Sequence, residues 1–321
     1  MALTFDDLTA KTNRWIVPKS VDIVYKNSPV LTRLRTQNAE RFEGGRSIMH
    51  GIMYARLKGG PFGRGATFDT SYVQTDTALE VIPKFYYVNI TLYGTDNVLN
   101  RGPMAAMSTV ETKMVNAAGR MAELLGTDMY LDGQGTNSST LALDGFDASV
   151  DDGTNFATYA NVTRADIASG ANVGINSYYK NIAGALALTD VQTAFGATWF
   201  GAEHVDLITC PQAIWDIVWS KIQPQQRFFD ESSDVAKVGF QALKFNGQTL
   251  VVDQYAPAQK LWGFNTKYIN FYLSTLPKYQ FGFTGWKEAQ NTDDVAGQYM
   301  FGGNLLNIAS RLMFKLIGIT S

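Results

Sequence analysis

The chain has 321 residues with a formal net charge of −2; 45% are hydrophobic, 12% aromatic and only 17% charged. Charges below the roughly 25% of soluble domains, with no run of Lys or Arg, leave no footprint for tight nucleic-acid binding and suit a surface that faces other protein. A single cysteine, Cys210, excludes an internal disulfide framework, and no run of 18 apolar residues is present to span a membrane.

Residues 1–41 read as an arm. Its short apolar clusters, Trp15-Ile16-Val17 and Val21 to Tyr25, are interrupted by Pro18 and by Ser28-Pro29. Val30 to Leu34 reads as one or two helical turns with Ser28 as a candidate N-cap. The start, Met1 to Asp7, lacks the positive and apolar regions of a signal peptide, so synthesis in the cytoplasm is expected.

Residues 42–95 read as a long extended hairpin. Its outgoing arm is Arg46 to Arg56, its tip Lys58-Gly59-Gly60-Pro61-Phe62-Gly63-Arg64-Gly65, and its return arm Val81 to Leu92. A two-stranded ribbon is marginal in water because it has no second layer to bury its side chains. A ribbon this apolar needs another surface, and a neighbouring copy of the chain is the expected one. Lys58, Gly59, Gly60, Pro61, Phe62, Gly63 and Arg64 are therefore the candidate subunit-interface residues.

Asn100-Arg101-Gly102-Pro103 reads as a helix start, with proline in the first turn. Met104, Met107, Met114, Ala118, Met121 and Leu125 follow at spacings of three and four, interrupted by Glu111, and Gly126 is expected to end the helix. From Asp132 to Asn176 the composition predicts loops, with a short strand at Thr140–Leu143. A helix is expected near Leu188–Phe195. An α/β unit then follows: strand His204–Cys210, a helix opened by Pro211, and a hairpin of Phe240–Phe245 and Gln248–Asp253 around Asn246-Gly247. Strands Leu261–Asn265 and Ile269–Leu273 come next. Tyr279–Phe283 and Gln298–Ile319 look extended, with a closing strand from Leu312.

No catalytic, cofactor or metal set is expected. His50 and His204 are the two histidines, too few with one cysteine for a Cys/His zinc site. The Lys58–Gly65 tip lacks the Lys-Ser/Thr pair of a phosphate loop and joins two strands. Asp147, Ser149, Asp151 and Asp152 crudely match a calcium loop, but Asp152 stands where glycine is required and Thr158 where a bidentate glutamate is required. The chain therefore reads as structural, not enzymatic.

The order of parts resembles the major capsid proteins of tailed bacteriophages. The likeness rests on the Phe42-x-Gly44-Gly45 approach to a long hairpin, the helix after Pro103 that ends near Leu131-Asp132-Gly133, and the Cys210-Pro211-Gln212-Ala213-Ile214-Trp215 step from strand to helix. It implies an α+β tailed-phage major capsid fold: N-terminal arm (1–41), extended hairpin loop (42–95), peripheral domain with spine helix (96–139), axial domain (140–275) and carboxyl-terminal strands completing both domains (276–321). It further implies self-assembly as hexamers and pentamers of an icosahedral shell around double-stranded DNA, enclosed without sequence-specific binding. The implied partners are further copies of the chain, a separate scaffolding protein, a portal and a decoration protein, and the implied location is the virion capsid. The rival readings are a nanocompartment shell of the same fold and a phage tail or decoration protein.

Overall fold

The computed structural model describes residues 12–93, 103–133, 140–167, 174–222, 242–288 and 294–320. The strands in chain order are β1 (Ala39–Phe42), β2 (Ile48–Met53), β3 (Asp76–Val81), β4 (Lys84–Tyr93), β5 (Thr158–Tyr159) and β6 (Val162–Thr163). There follow β7 (Tyr178–Ala185), β8 (Leu207–Cys210), β9 (Ala242–Phe245), β10 (Gln248–Val252) and β11 (Leu261–Phe264). The last are β12 (Ile269–Ser274), β13 (Gln280–Phe283), β14 (Lys287–Glu288), β15 (Asp294–Asn307) and β16 (Phe314–Thr320).

Two six-stranded sheets organise the chain. In one, β1, β12, β15 and β13 are neighbours in that order, and β4 and β14 also pair with β15. The other runs β7-β16-β11-β8-β10-β9. The chain crosses between them more than once. β11 and β12 are adjacent in sequence but lie in different sheets, so Ile269–Ser274, inside the segment 140–275, belongs with the first sheet.

The long helix spans Pro103–Met129, about 40 Å at 1.5 Å per residue. Asn100–Gly102 lie outside the described residues, as do the side chains of Met104 and Met107. Met114, Ala118, Met121 and Leu125 are fully buried against the first sheet, as their spacing predicts, and Val110, Ala117 and Met129 extend the stripe. Gly126 does not end the helix. A Cβ there would stand 2.3 Å from the ring of Tyr255, so the residue is small because an aromatic ring crosses the helix, not because the chain turns.

From Thr12 onwards the N-terminal segment is more helical than the expected arm. After a π-helical turn (Thr12–Ile16), helices Val17–Lys26 and Pro29–Gln37 run on either side of Ser28. Val24, Tyr25, Val30, Leu31 and Leu34 join the core shared with the long helix, and β1 pairs parallel with β12. The surface this segment lies on is therefore its own chain. Ser28 occupies the N-cap position but makes no side-chain cap; its hydroxyl donates instead to Asp253 at 2.7 Å.

The hairpin also differs from expectation. β2 pairs with β3, from Ile48 opposite Val81 to Met53 opposite Asp76. The expected return arm, Val81 to Leu92, belongs only at its start to the ribbon. β4 leaves it and pairs over its whole length with β15, Lys84 opposite Gly303 and Tyr93 opposite Asp294. Pro83 sits at the break, where a residue without an N–H cannot continue a ladder.

Among the shorter differences, Thr140–Leu143 is a turn, not a strand, and is held by β4: Lys84 donates to the Thr140 carbonyl at 2.6 Å and the Leu143 N–H to the Tyr86 hydroxyl at 2.8 Å. β7 was not anticipated, and the strand expected from His204 begins at Leu207. Helices Leu188–Thr198 and Gln212–Ile222 pack on the second sheet through Val191, Phe195, Ile214 and Val218. The Asn246-Gly247 turn closes β9 onto β10, with φ of 51° and 81°. Phe240 and Gln241 lie outside the described residues.

Candidate inter-subunit surface

The ribbon begins at Phe42-Glu43-Gly44-Gly45. Gly44 and Gly45 take φ of 142° and 106°, a left-handed stretch that turns the chain out of β1 and that side chains with a Cβ adopt poorly. In β2 and β3, alternation then sorts the side chains. Ile48, Ile52, Leu79 and Val81 are buried against Tyr159, Ile167, Ile175, Tyr272 and Leu306 of the same chain. Met49 and Met53 point the other way and are exposed. The Glu80 N–H donates to the Ala160 carbonyl at 2.9 Å and Asn161 to the Glu80 carboxylate at 3.1 Å, which ties the ribbon to the β5–β6 hairpin. The root of the ribbon thus has the second layer that its sequence was expected to seek elsewhere.

The tip does not. Beyond Tyr54 and Ala55, both bonded to the Thr75 carbonyl, every residue from Arg56 to Tyr72 is exposed. Leu57, Phe62, Phe68 and Tyr72 are 77%, 72%, 68% and 89% accessible. All seven candidate residues, Lys58 to Arg64, lie in this run. The loop is organised from within. Lys58 pairs with Asp69 at 2.6 Å, and the rings of Phe62 and Phe68 meet edge to face at 5.2 Å. Lys58 and the Ser71 hydroxyl and N–H hold the Asp69 carboxyl down to about 2. One of the two tip cations is therefore already partnered within its own loop.

The acidic stretch that crudely matched a calcium loop has a different occupant. The Lys315 ammonium, almost fully buried, lies 3.0 Å from Asp147 Oδ1 and 3.1 Å from Asp151 Oδ2. The rings of Phe156, Tyr179 and Trp262 surround it. Asp151 also accepts the N–H groups of Gly153 and Asn155 and the Asn155 amide; burial opposes its ionisation, but the Asn155 groups and Lys315 outweigh it and hold the carboxyl below the ordinary range. Lys260 pairs with the second oxygen of Asp147 at 2.9 Å. Four charges are thus matched inside the body. Among the described residues no group of three or more His, Cys, Asp or Glu stands close enough to hold a metal ion.

Next to it, Arg164 is buried with its guanidinium donating to the carbonyls of Ala148, Ser149, Asp151 and Ile175, which secures the loops beneath the ribbon root. Asp253 joins three parts of the chain, accepting from Ser28, from the Tyr130 hydroxyl at 3.0 Å and from the Tyr255 N–H. Sequence reading missed Arg164, Asp253 and Lys315, whose partners are distant in the chain. His204 is stacked on Trp199 at 4.9 Å and bonded to Gln248, while Cys210 is buried and its thiol pushed up by desolvation. Neither is arranged as a nucleophile. Among the described residues, no helix is long and apolar enough to cross a membrane.

No protein-family model matches the sequence, and no curated protein matches it. Solved structures do. The capsid of cyanophage A-1(L) is similar with a TM-score of 0.71 at 13% identity, over 93% of this chain and 94% of that one. The capsid of a native GTA particle is similar at 0.60 and 11% identity, over 91% of each chain. The SrpI encapsulin of Synechococcus elongatus PCC 7942 is similar at 0.57 and 8% identity, over 91% and 88%. With nearly the whole chain superposed in each case, the protein has the fold of the tailed-phage major capsid proteins.

Proposed function

We propose that the chain is the major capsid protein of a tailed phage, a structural subunit that closes with further copies into hexamers and pentamers of an icosahedral shell around double-stranded DNA. The observation that carries this reading is the ribbon tip: seventeen consecutive exposed residues, 56–72, bearing large apolar side chains on a chain of this fold. Exposed aromatic side chains gathered on a projection mark a contact surface. Residues 43–83 serve as the extended loop, the first sheet and long helix as the peripheral domain, and the second sheet with its two helices as the axial domain. A scaffolding protein and a portal are the partners expected of this role, with a decoration protein as an optional addition. DNA is enclosed, not read, since the chain has no basic run.

The test is assembly. The purified chain, alone and with its scaffolding protein, is expected to form closed shells by negative-stain microscopy. Deletion of Gly59–Gly65 is expected to leave a folded subunit that assembles poorly; normal shells from that variant would refute the role given to the tip. The likeness to an encapsulin favours a second reading, a nanocompartment around a protein cargo. Particles from the native source decide between them, by whether they contain DNA or a cargo enzyme.

A further inference from the structure

Asn246 and Gly247 form the turn between β9 and β10, and this is the one place in the chain where glycine follows asparagine. Both residues are exposed, and both take left-handed φ, of 51° and 81°. The ladder closes at Phe245 opposite Gln248, so the Gly247 N–H stands outside it. No atom lies within 4 Å of where a Cβ would stand on Gly247, so the turn is open on that side. Covalent connection keeps the Asn246 carboxamide within reach of that main-chain nitrogen. Asp152-Gly153 has the same connection but not the same freedom, because the Gly153 N–H donates to Asp151 at 2.9 Å.

One side of the turn is held from outside the hairpin. The Gln248 amide nitrogen lies 2.8 Å from His204 Nε2. His204 in turn stacks on Trp199 at 4.9 Å, and its Nδ1 lies 3.2 Å from the Ala202 carbonyl. The other side leads into β9, the edge of the second sheet, which pairs with β10 alone among the described strands. Closing a ring between the Asn246 side chain and the Gly247 nitrogen requires the Asn246 main chain to rotate out of the turn. Its rate therefore follows local opening of the hairpin, and the His204 brace opposes that opening.

We propose that Asn246 is a site of spontaneous covalent modification, deamidation through attack by its own main chain, and that His204 acting through Gln248 sets the rate. Solvent base removes the Gly247 N–H proton, the nitrogen bonds to Asn246 Cγ, and the Cγ–Nδ2 bond breaks; the amide nitrogen takes up a proton and leaves as ammonia. Water then opens the resulting succinimide at either carbonyl, giving aspartate or isoaspartate. Aspartate adds one negative charge and keeps the turn, since Asp-Gly suits this hairpin as Asn-Gly does. Isoaspartate routes the main chain through Cβ. The added backbone atom moves Phe245 out of register with Gln248, so β9 is released while β10 stays held by β8.

The experiment is timed peptide mapping. The folded chain is held at mildly alkaline pH, samples are digested with trypsin, and the peptide that follows Lys244 and ends at Lys260 is weighed. The expected result is the mass shift of an amide exchanged for an acid, with isoaspartate revealed by labelling with an isoaspartyl methyltransferase. Asn27 and Asn176, each followed by serine, serve as internal references and are expected to lag behind. A peptide that keeps its mass while the references convert, or converts only in the unfolded chain, overturns the site. Asn246→Gln, whose longer side chain closes a larger ring more slowly, is expected to abolish the shift; a shift that persists overturns it too. His204→Ala and Gln248→Ala are each expected to raise the fraction converted at a given time. Rates equal to that of the unmodified chain overturn the brace, and if His204→Ala does not fold, Gln248→Ala alone decides.

Discussion

The root and the tip of the ribbon are continuous in sequence and both carry large apolar side chains, yet those side chains stand in opposite surroundings. At the root, Ile48, Ile52, Leu79 and Val81 are covered by Tyr159, Tyr272 and Leu306 of the same chain. At the tip, Leu57, Phe62 and Phe68 meet solvent. Charges follow the same division: Lys315 is matched by two carboxylates inside the body, whereas Lys58 and Asp69 pair in the open. An apolar ribbon is therefore not one object. One face of its root is part of the chain's core, while its tip packs on nothing else in the chain, so damage to the root should act on folding and damage to the tip should leave folding intact.

The largest effect is expected from Lys315→Met. Removing one partner leaves Asp147 and Asp151 without their buried cation, and breaking a buried pair in this way costs about 3–5 kcal/mol. Denaturant unfolding of the subunit measures it; a loss below about 1 kcal/mol would show that water replaces the ammonium and that the body is more open than its burial suggests. Leu79→Ala comes next. It empties a fully buried site in the ribbon root and is expected to cost about 2–5 kcal/mol in the same assay.

Acid sharpens the contrast between the two charge sites. The Asp151 carboxyl is held below its unfolded value, so the stability it contributes is full above the ordinary carboxylate range, about pH 4, and is lost as pH falls through its lower folded value. Lys315→Met should therefore flatten the acid side of the stability profile. Asp69 is held down as well, but its pair with Lys58 stands in solvent, so Asp69→Asn is expected to leave that profile unchanged. An equal response from both variants would erase the distinction between body and tip. The smallest expected effect on folding is that of Phe62→Ala, within about 0.5 kcal/mol. Its consequence belongs to particle yield, and a loss of subunit stability like that of Leu79→Ala would show the tip to be packed on its own chain.

Much of the secondary structure was legible. The spacing of Met114, Ala118, Met121 and Leu125 marked the buried face of the long helix, and Asn246-Gly247 marked a hairpin, because both signals operate within one or two turns of chain. The break at Pro83 was also legible in principle, since a missing N–H stops a ladder, but the apolar run on either side concealed it. What the run then pairs with was not: β4 lies against β15, some two hundred residues further along the chain. Gly126 was misread for the same reason. Its smallness answers to the ring of Tyr255, which only the folded chain brings against the helix.

By itself the sequence determined many of the local elements and the order of parts that resembles a capsid subunit. Those depend on periodicity, turn chemistry and composition, all readable within short windows. The tertiary structure alone decided that helices Val17–Lys26 and Pro29–Gln37 and one face of the ribbon root belong to the core, that Lys315 and Lys260 pair with the acidic loop, and that residues 56–72 stay uncovered. Each of these is a match between surfaces or charges remote in the chain, and burial exists only once the chain has closed on itself.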